Sequence, residues 1–437
     1  MKRLVIALAA FALLCGTAFA EPVTIEFWHA MGGKNGDVTQ AIIDKFNASQ
    51  GDYKVVGVFK GSYADTMNAG IAAFRAGQPP AILQVYEVGT ATMMAAKGAI
   101  VPVYKLMKEE GRSFDPHEFI PAISGYYSTS AGQMLSMPFN SSTAVMYYNK
   151  DAFRKAGLDP AKPPTTWPEV FADARKLKAA GYEGGLTSNW FGWIQLENFS
   201  AWHNLPFGTK SNGFDGFDTR LVFNGPLQLR HLTNLYNLSK EGVFIYGGRD
   251  NAANTLFTSG QVPIHFESIG GYGAMKSTCT FDFGVAMLPY YPDVKGAPQN
   301  SIIGGASLWV LAKQSPAQYK GVAAFLTFLS KPDIQSYFHE QTGYLPVTLA
   351  AYKLTKEQGY YKDNPGLEVA IRQLNYKTPT PNSRGIRFGY MPQIRTICDE
   401  QWESILGGKE TVKQGLDNMV RLGDELLRKF EKIAEAE

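Results

Sequence analysis

Within its first 85 residues the chain alternates between β-type and helical patterning, and no other feature restricts its architecture as much. Thr24-Ile25-Glu26-Phe27-Trp28 is a short β-type segment, followed by the turn-rich Met31-Gly32-Gly33 and then helical apolar spacing at Val38, Ile42, Ile43 and Phe46. Tyr53 to Phe59 is a second β-rich run. Residues 67–74 are again helical in pattern, Pro79-Pro80 stops them, and Ala81-Ile82-Leu83-Gln84-Val85 is a third strand. Strand, helix, strand, helix, strand predicts an α/β fold with a largely parallel sheet covered by helices on both faces. Ligands bind such sheets beyond the carboxyl ends of the strands, and Trp28, Tyr63 and Glu87 all lie just after strand runs.

Length extends the argument. A single core stops growing at roughly 250–300 residues, so 437 residues of globular composition predict two domains. The chain is β-rich again over 137–148. Pro163-Pro164-Thr165-Thr166-Trp167-Pro168-Glu169 then feeds an amphipathic stretch over 170–180. Thr166 as N-cap, Pro168 in the first turn and Glu169 three residues after the cap make a capping box. A strand is expected over 307–312, after Gly304-Gly305. A helix is expected over 410–436, with Gly415 and Gly423 as weak points in it.

Lys2 and Arg3, the apolar run from Leu4 to Leu14 and Ala18-Phe19-Ala20 read as a secretory signal peptide cleaved after Ala20. Its apolar run is too short to cross a bilayer, and no second long uncharged stretch follows. Cys15 invites acylation, but Leu14 stands where a small residue is expected before a lipoprotein cysteine, which argues against it. The mature chain is expected to be exported to the periplasm. Without the leader, 40 basic side chains face 39 acidic ones, a balance that argues against a nucleic-acid surface. Cys279 and Cys398 remain, and their separation in sequence fixes no distance in space, so two free thiols are the expectation.

Catalytic and cofactor motifs are missing. No P-loop, H-E-x-x-H, C-x-x-C, G-x-S-x-G or EF-hand loop occurs, and Lys276 breaks the dinucleotide pattern begun by Gly271-Tyr272-Gly273. None of the six histidines pairs at metal-ligand spacing. Ordinary hydrogen-bonded roles are expected for all of them, with His29 the one left open. No cofactor, metal or enzymatic role is expected, although a carboxylate pair would leave no local signature.

Glu26-Phe27-Trp28-His29, the run from Ala81 to Thr90, Pro138-Phe139-Asn140-Ser141-Ser142 and the run from Tyr147 to Phe153 resemble the maltose-type family of periplasmic binding proteins. The run from Trp193 to Trp202, Ile303-Gly304-Gly305-Ala306-Ser307-Leu308-Trp309, Thr342-Gly343-Tyr344-Leu345-Pro346 and Met391-Pro392-Gln393-Ile394-Arg395 are similar to its glycerol 3-phosphate receptors. The resemblance spans the mature chain. It implies a type II periplasmic binding protein: two α/β lobes, 21–136 plus 300–348 and 137–299 plus 349–437, joined by crossover hinges with a ligand cleft between them. It also implies a monomeric receptor that delivers its ligand to a permease pair driven by a cytoplasmic ATPase.

Carried over residue by residue, the resemblance makes Tyr63, Glu87, Ser142, Trp190, Trp193, Ser268, Gly305, Tyr344 and Arg395 the ligand-binding positions, with the stretch around Ser268 the least well matched. The residue types suit a phosphorylated polyol. Arg395 offers a planar two-pronged contact to phosphate, Ser142, Ser268 and Tyr344 offer hydroxyls, and Gly305 a backbone N–H. Glu87 and Tyr63 suit the polyol hydroxyls, and Trp190 or Trp193 its C–H face. Whether the ligand is glycerol 3-phosphate or a diester such as glycerophosphocholine stays open. The alternatives are a receptor for a maltose-like sugar, a secreted hydrolase using Glu87 and Glu267, and a structural envelope protein.

Overall fold

The computed structural model describes residues 21–436, so the leader, Cys15 and the cleavage point after Ala20 lie outside the described residues. The strands in chain order are β1 Val23–His29, β2 Tyr53–Phe59, β3 Ile82–Tyr86, β4 Ile100–Val101, β5 Met137–Ser142, β6 Ala144–Asn149, β7 Leu186–Ser188, β8 Phe244–Ile245, β9 Ile264–Ser268, β10 Phe283–Ala286 and β11 Gly304–Leu311. They form two sheets. One has the order β2-β1-β3-β11-β4, with β5 also on β11, and the other runs β10-β6-β9-β7-β8.

The first three strands and the helices between them, Gly33–Ser49 and Tyr63–Arg75, follow the sequence pattern, and β1 pairs in parallel with β2 and β3. The sheets as wholes are mixed rather than largely parallel. β11 runs antiparallel to β3, β4 and β5, and β6 runs antiparallel to β9 and β10. The cause is where the chain enters. β1, β3, β7 and β9 run toward the space between the sheets, whereas β6 and β11 each enter a sheet from that space and must run away from it.

The run over 137–148 is two strands in different sheets, with Thr143 between them. We therefore propose that the first crossing between lobes falls at Thr143, six residues after the boundary expected from the sequence; the second lies between β10 and β11. The Thr143 hydroxyl is tied to Ser301 Oγ and the Ile302 carbonyl, each at 2.8 Å, so the two crossing segments are bonded to each other.

Local signals hold where they are local. Thr166 and Glu169 make the capping box of the helix Trp167–Ala179, whose Val170, Phe171, Ala174 and Leu177 are buried. The last helix, Val412–Ala436, continues through both glycines because it packs closely there. A Cβ at Gly415 would lie 2.5 Å from Ile405, and one at Gly423 would lie 2.3 Å from Leu221. Cys279 and Cys398 are free thiols, the second buried. No helix among the described residues is long and apolar enough to cross a membrane.

Five histidines, His29, His203, His231, His265 and His339, are buried. Burial lowers each of them, His29, His203 and His339 to about 4 and His265 to about 3. Their folded values lie below the unfolded one, so their contribution to stability is complete above about pH 6.5 and lost as pH falls toward 4. Two carboxyls held near 7, Glu267 and Asp399, act with the opposite sign over part of that interval. Urea unfolding is expected to show a smaller unfolding free energy at pH 4.5 than at pH 6.5, and a smaller difference in His203→Asn. An unchanged difference in that variant would contradict this account of acid sensitivity.

Candidate functional site

Between the sheets lies a cleft of about 880 Å³, and all nine residues carried over from the resemblance line it. Most sit at or next to an element end. Glu87 follows β3, Ser142 closes β5, Ser268 closes β9, Gly305 is the second residue of β11 and Tyr63 starts its helix behind the Ser62–Asp65 capping box. Tyr344 follows Gly343 at the end of the helix Pro332–Thr342, and Arg395 lies in the helix Met391–Leu406. Trp190 follows β7, and Trp193 lies in a wide helical turn, Gly192–Asn198, whose i→i+5 bonding is rare and often marks functional sites.

The polar groups separate into two ends. At one end the donors are neutral apart from Lys34. Asn140 Nδ2 donates to Tyr63 Oη at 2.7 Å, and the Tyr63 and Tyr344 hydroxyls lie 3.5 Å apart. Burial raises both phenols, so both stay protonated donors at neutral pH. Ser268 Oγ caps the N–H of Gly270 at 3.1 Å, and a Cβ at Gly270 would lie 2.4 Å from the Tyr344 ring. Gly305 has φ +87°, and a Cβ there would lie 1.8 Å from the Asn140 carbonyl, so only glycine fits. Across from these residues the helix Gly33–Ser49 begins at Gly32 with no side-chain cap, leaving its first N–H groups beside the cleft. Lys34 donates to the Gly273 carbonyl at 3.3 Å.

At the other end the groups are charged. Arg395 Nε and Nη2 donate to the two oxygens of Glu197 at 2.7 and 2.8 Å, and Nη2 also donates to Glu87 at 2.6 Å. Glu197 is 2% exposed and Glu87 5%. The two-pronged face of Arg395, expected to meet a phosphate, is thus occupied by Glu197. Two carboxylates surround one guanidinium, leaving a net negative group. Burial pushes the Glu87 carboxyl up, against the pull of Arg395. The Nη1 donors of Arg395 bond to no protein atom among the described residues.

This charged end is flanked by Asp250 and Asp399, and burial pushes the Asp399 carboxyl up to about 7. Three non-glycine residues around it have left-handed backbones: Trp190 (φ 44°), Asp250 (φ 50°) and Tyr390 (φ 53°). Such strain gathers at functional sites. The Trp190 N–H bonds the Asp250 carbonyl at 3.0 Å, and its indole donates to Asn251 at 2.7 Å, which fixes this wall. Trp193 packs closely on β11, since a Cβ at Gly304 would lie 2.3 Å from its ring.

Sequence reasoning missed Asn140, Glu197, Asp250, Tyr390 and Asp399. The spacing of Arg395 and Asp399, four apart on one helix, was the only local signal among them. His29, left open by the sequence, accepts the Met31 N–H at 3.3 Å and packs on Phe27, an ordinary buried role. Glu197→Ala should lower the unfolding free energy by about 3–5 kcal/mol, because it breaks a buried ion pair from one side. Denaturant titration measures this, and a loss under about 1 kcal/mol would mean that Glu87 alone satisfies Arg395.

Residues 41–369 match the family model described as bacterial extracellular solute-binding protein. The chain is 54% identical over 409 residues, 93% of each chain, to the sn-glycerol-3-phosphate-binding periplasmic protein UgpB of Yersinia pseudotuberculosis. It is 51% identical to UgpB of Salmonella typhimurium, over all of this chain and 99% of that one. Among solved structures, UgpB from Mycobacterium tuberculosis in complex with glycerophosphocholine superimposes with a TM-score of 0.77 at 23% identity, covering 94% of this chain and 99% of that one. Maltose-bound MalE3 of T. maritima superimposes with a TM-score of 0.75 at 18% identity, covering 93% and 100%. These structural likenesses establish the two-lobed type II fold, and the sequence matches place the chain in the bacterial extracellular solute-binding protein family as a homologue of the UgpB proteins.

Proposed function

We propose that this chain is the receptor of an ABC importer, exported to the periplasm, that closes on glycerol 3-phosphate and hands it to the membrane permease. The observation that carries the reading is the division of the cleft into a neutral donor end and a charged end, in a chain more than half identical to UgpB proteins. The nine carried-over residues are assigned to the ligand on this basis.

A phosphate dianion withdrawn from water needs several donors and partial positive charge. The neutral end offers the hydroxyls of Ser142, Ser268, Tyr63 and Tyr344, the N–H of Gly305, the uncapped start of the helix Gly33–Ser49, and Lys34. The charged end offers the reverse. Glu87 accepts from one hydroxyl while the free donors of Arg395 give to another, and the Trp193 ring covers the C–H face. Arg395, already surrounded by Glu87 and Glu197, acts here as a hydroxyl reader held by carboxylates rather than as the cation for phosphate. Placing the phosphate beside Glu87, Asp250 and Asp399 instead would set two like charges together in a cleft of low dielectric.

The same division accounts for the absence of turnover in this reading. Glu87 is held by Arg395 and Glu267 by the Ser268 N–H and Asn189, so neither is poised to attack a bond. Ligand contacts drawn from both sides of the cleft stabilise the closed form, and closure is what the permease would read. A diester such as glycerophosphocholine fits the same scheme, with its head group extending from the phosphate along the part of the cleft lined by Gly32, Gly33 and Gly271.

Calorimetric titration of the refolded mature chain should show one-to-one binding of glycerol 3-phosphate and none of maltose. Tyr344→Phe and Ser268→Ala should each weaken glycerol 3-phosphate by roughly tenfold, the loss of one hydrogen bond to a charged group. Binding of maltose without binding of glycerol phosphates would replace this reading with a sugar receptor.

A further inference from the structure

Glu267 lines the cleft at the end of β9, directly before Ser268, and is only 2% exposed. Its Oε1 accepts the Ser268 N–H at 2.5 Å and its Oε2 accepts from Asn189 Nδ2. Its lack of a cation sets it apart from Glu87 and Glu197, since Arg or Lys lies within 4 Å of both of those and not of Glu267 among the described residues.

The groups around it are neutral. On its own strand His265 Nε2 stands 3.8 Å away, and burial holds that ring neutral down to about pH 3. From β6 comes Tyr147, whose hydroxyl donates to the Ser268 carbonyl at 3.0 Å. The segment after β7 contributes Asn189 and Trp190, and the segment after the helix Pro332–Thr342 contributes Tyr344. Across the cleft Lys34 is engaged by the Gly273 carbonyl, and Asn35 donates to the Gly270 carbonyl at 3.4 Å. Burial without a counter-ion pushes the Glu267 carboxyl up to about 7.

A carboxylate at this place would face the phosphate assigned to Ser268, Gly305 and Tyr344. Two anions withdrawn from water side by side are unstable, and among the described residues no Arg or Lys lies within 4 Å of Glu267 to separate them. We propose that Glu267 is a further binding residue of the anion end, one that enters the complex as the neutral acid and donates its O–H toward the ligand. One proton passes from solvent to a carboxylate oxygen of Glu267 as the phosphate docks; no other bond forms or breaks. The receptor then captures phosphate and proton together, and the acid contributes a donor exactly where its conjugate base would repel. The inference rests on the placement of the phosphate at the Ser268 end.

The sign follows from linkage. The bound phosphate raises Glu267 above its free value, so binding takes up a proton at and above about pH 7 and affinity falls as pH rises through that value. The ligand phosphate, with its second pKa near 6, is already largely dianionic there and adds little of its own.

The test is calorimetric titration of the mature chain with glycerol 3-phosphate at pH 7.0 and 8.5, each in two buffers of different ionisation enthalpy. The account expects uptake approaching one proton per ligand at pH 8.5 and a Kd on the order of tenfold weaker there than at pH 7.0. In Glu267→Gln both the proton uptake and the ratio of the two Kd values should collapse, to about zero and about one. Absence of uptake by the wild type would overturn the role without any variant, and uptake that persists at pH 8.5 in Asp399→Asn excludes the other cleft carboxyl held near 7 as its source. Binding that Ser268→Ala weakens but that takes up no proton would overturn the role of Glu267 while leaving the phosphate placement intact. Binding that Ser268→Ala leaves unchanged would instead remove the placement on which the role rests.

Discussion

Arg395 is the charge around which the cleft is organised. Its guanidinium is held in two-pronged fashion by Glu197 and touched by Glu87, which follows a strand of the other sheet. A buried arginine cannot shed its proton, so it must keep at least one carboxylate, and here it keeps two. The second carboxylate links the two sides of the cleft by an ion pair of 2.6 Å. In our reading this arrangement sets which end of the cleft receives the anion. In the same reading Glu87 and the unused donors of Arg395 serve as acceptor and donor for a polyol.

The opposite end is built from neutral donors. Glycine at 305 lets β11 pass against the Asn140 carbonyl, Ser268 ends β9, and Tyr63 and Tyr344 bring two phenols within 3.5 Å. In our reading this end receives the phosphate without a dedicated arginine. Dispersed donors of this kind suit a receptor: they hold an anion firmly enough to stabilise closure, yet present no cation or metal cluster of the sort that phosphoryl transfer uses. In the same reading Glu267, buried beside Ser268, makes the anion end sensitive to a proton because, unlike Glu87 and Glu197, it has no Arg or Lys within 4 Å among the described residues.

What the sequence made legible was local. The strands and helices over 23–86 follow from apolar spacing and turn residues, and the capping box at Thr166 and Glu169 is visible in four letters. The direction of β11 was not legible, because it depends on the chain returning from the other sheet and entering at the cleft. Nor was the partner of Arg395, which lies 198 residues away in sequence. The left-handed backbones at Trp190, Asp250 and Tyr390 run against the preferences of those residue types, so pattern reading could not find them. Read as residues alone, the tryptophans and serines of the cleft carry no functional signal. The resemblance to a known family selected them, and the fold brings all nine to one cleft.

A crystal structure of the mature chain with glycerol 3-phosphate is the most direct test of the account. It predicts the phosphate oxygens within hydrogen-bonding distance of Ser268, Tyr344 and the Gly305 N–H, the glycerol hydroxyls on Glu87 and Arg395, and Arg395 still bound by Glu197. A phosphate seated on Arg395, with the Glu197 pair broken to receive it, would contradict the division of the cleft on which the account depends.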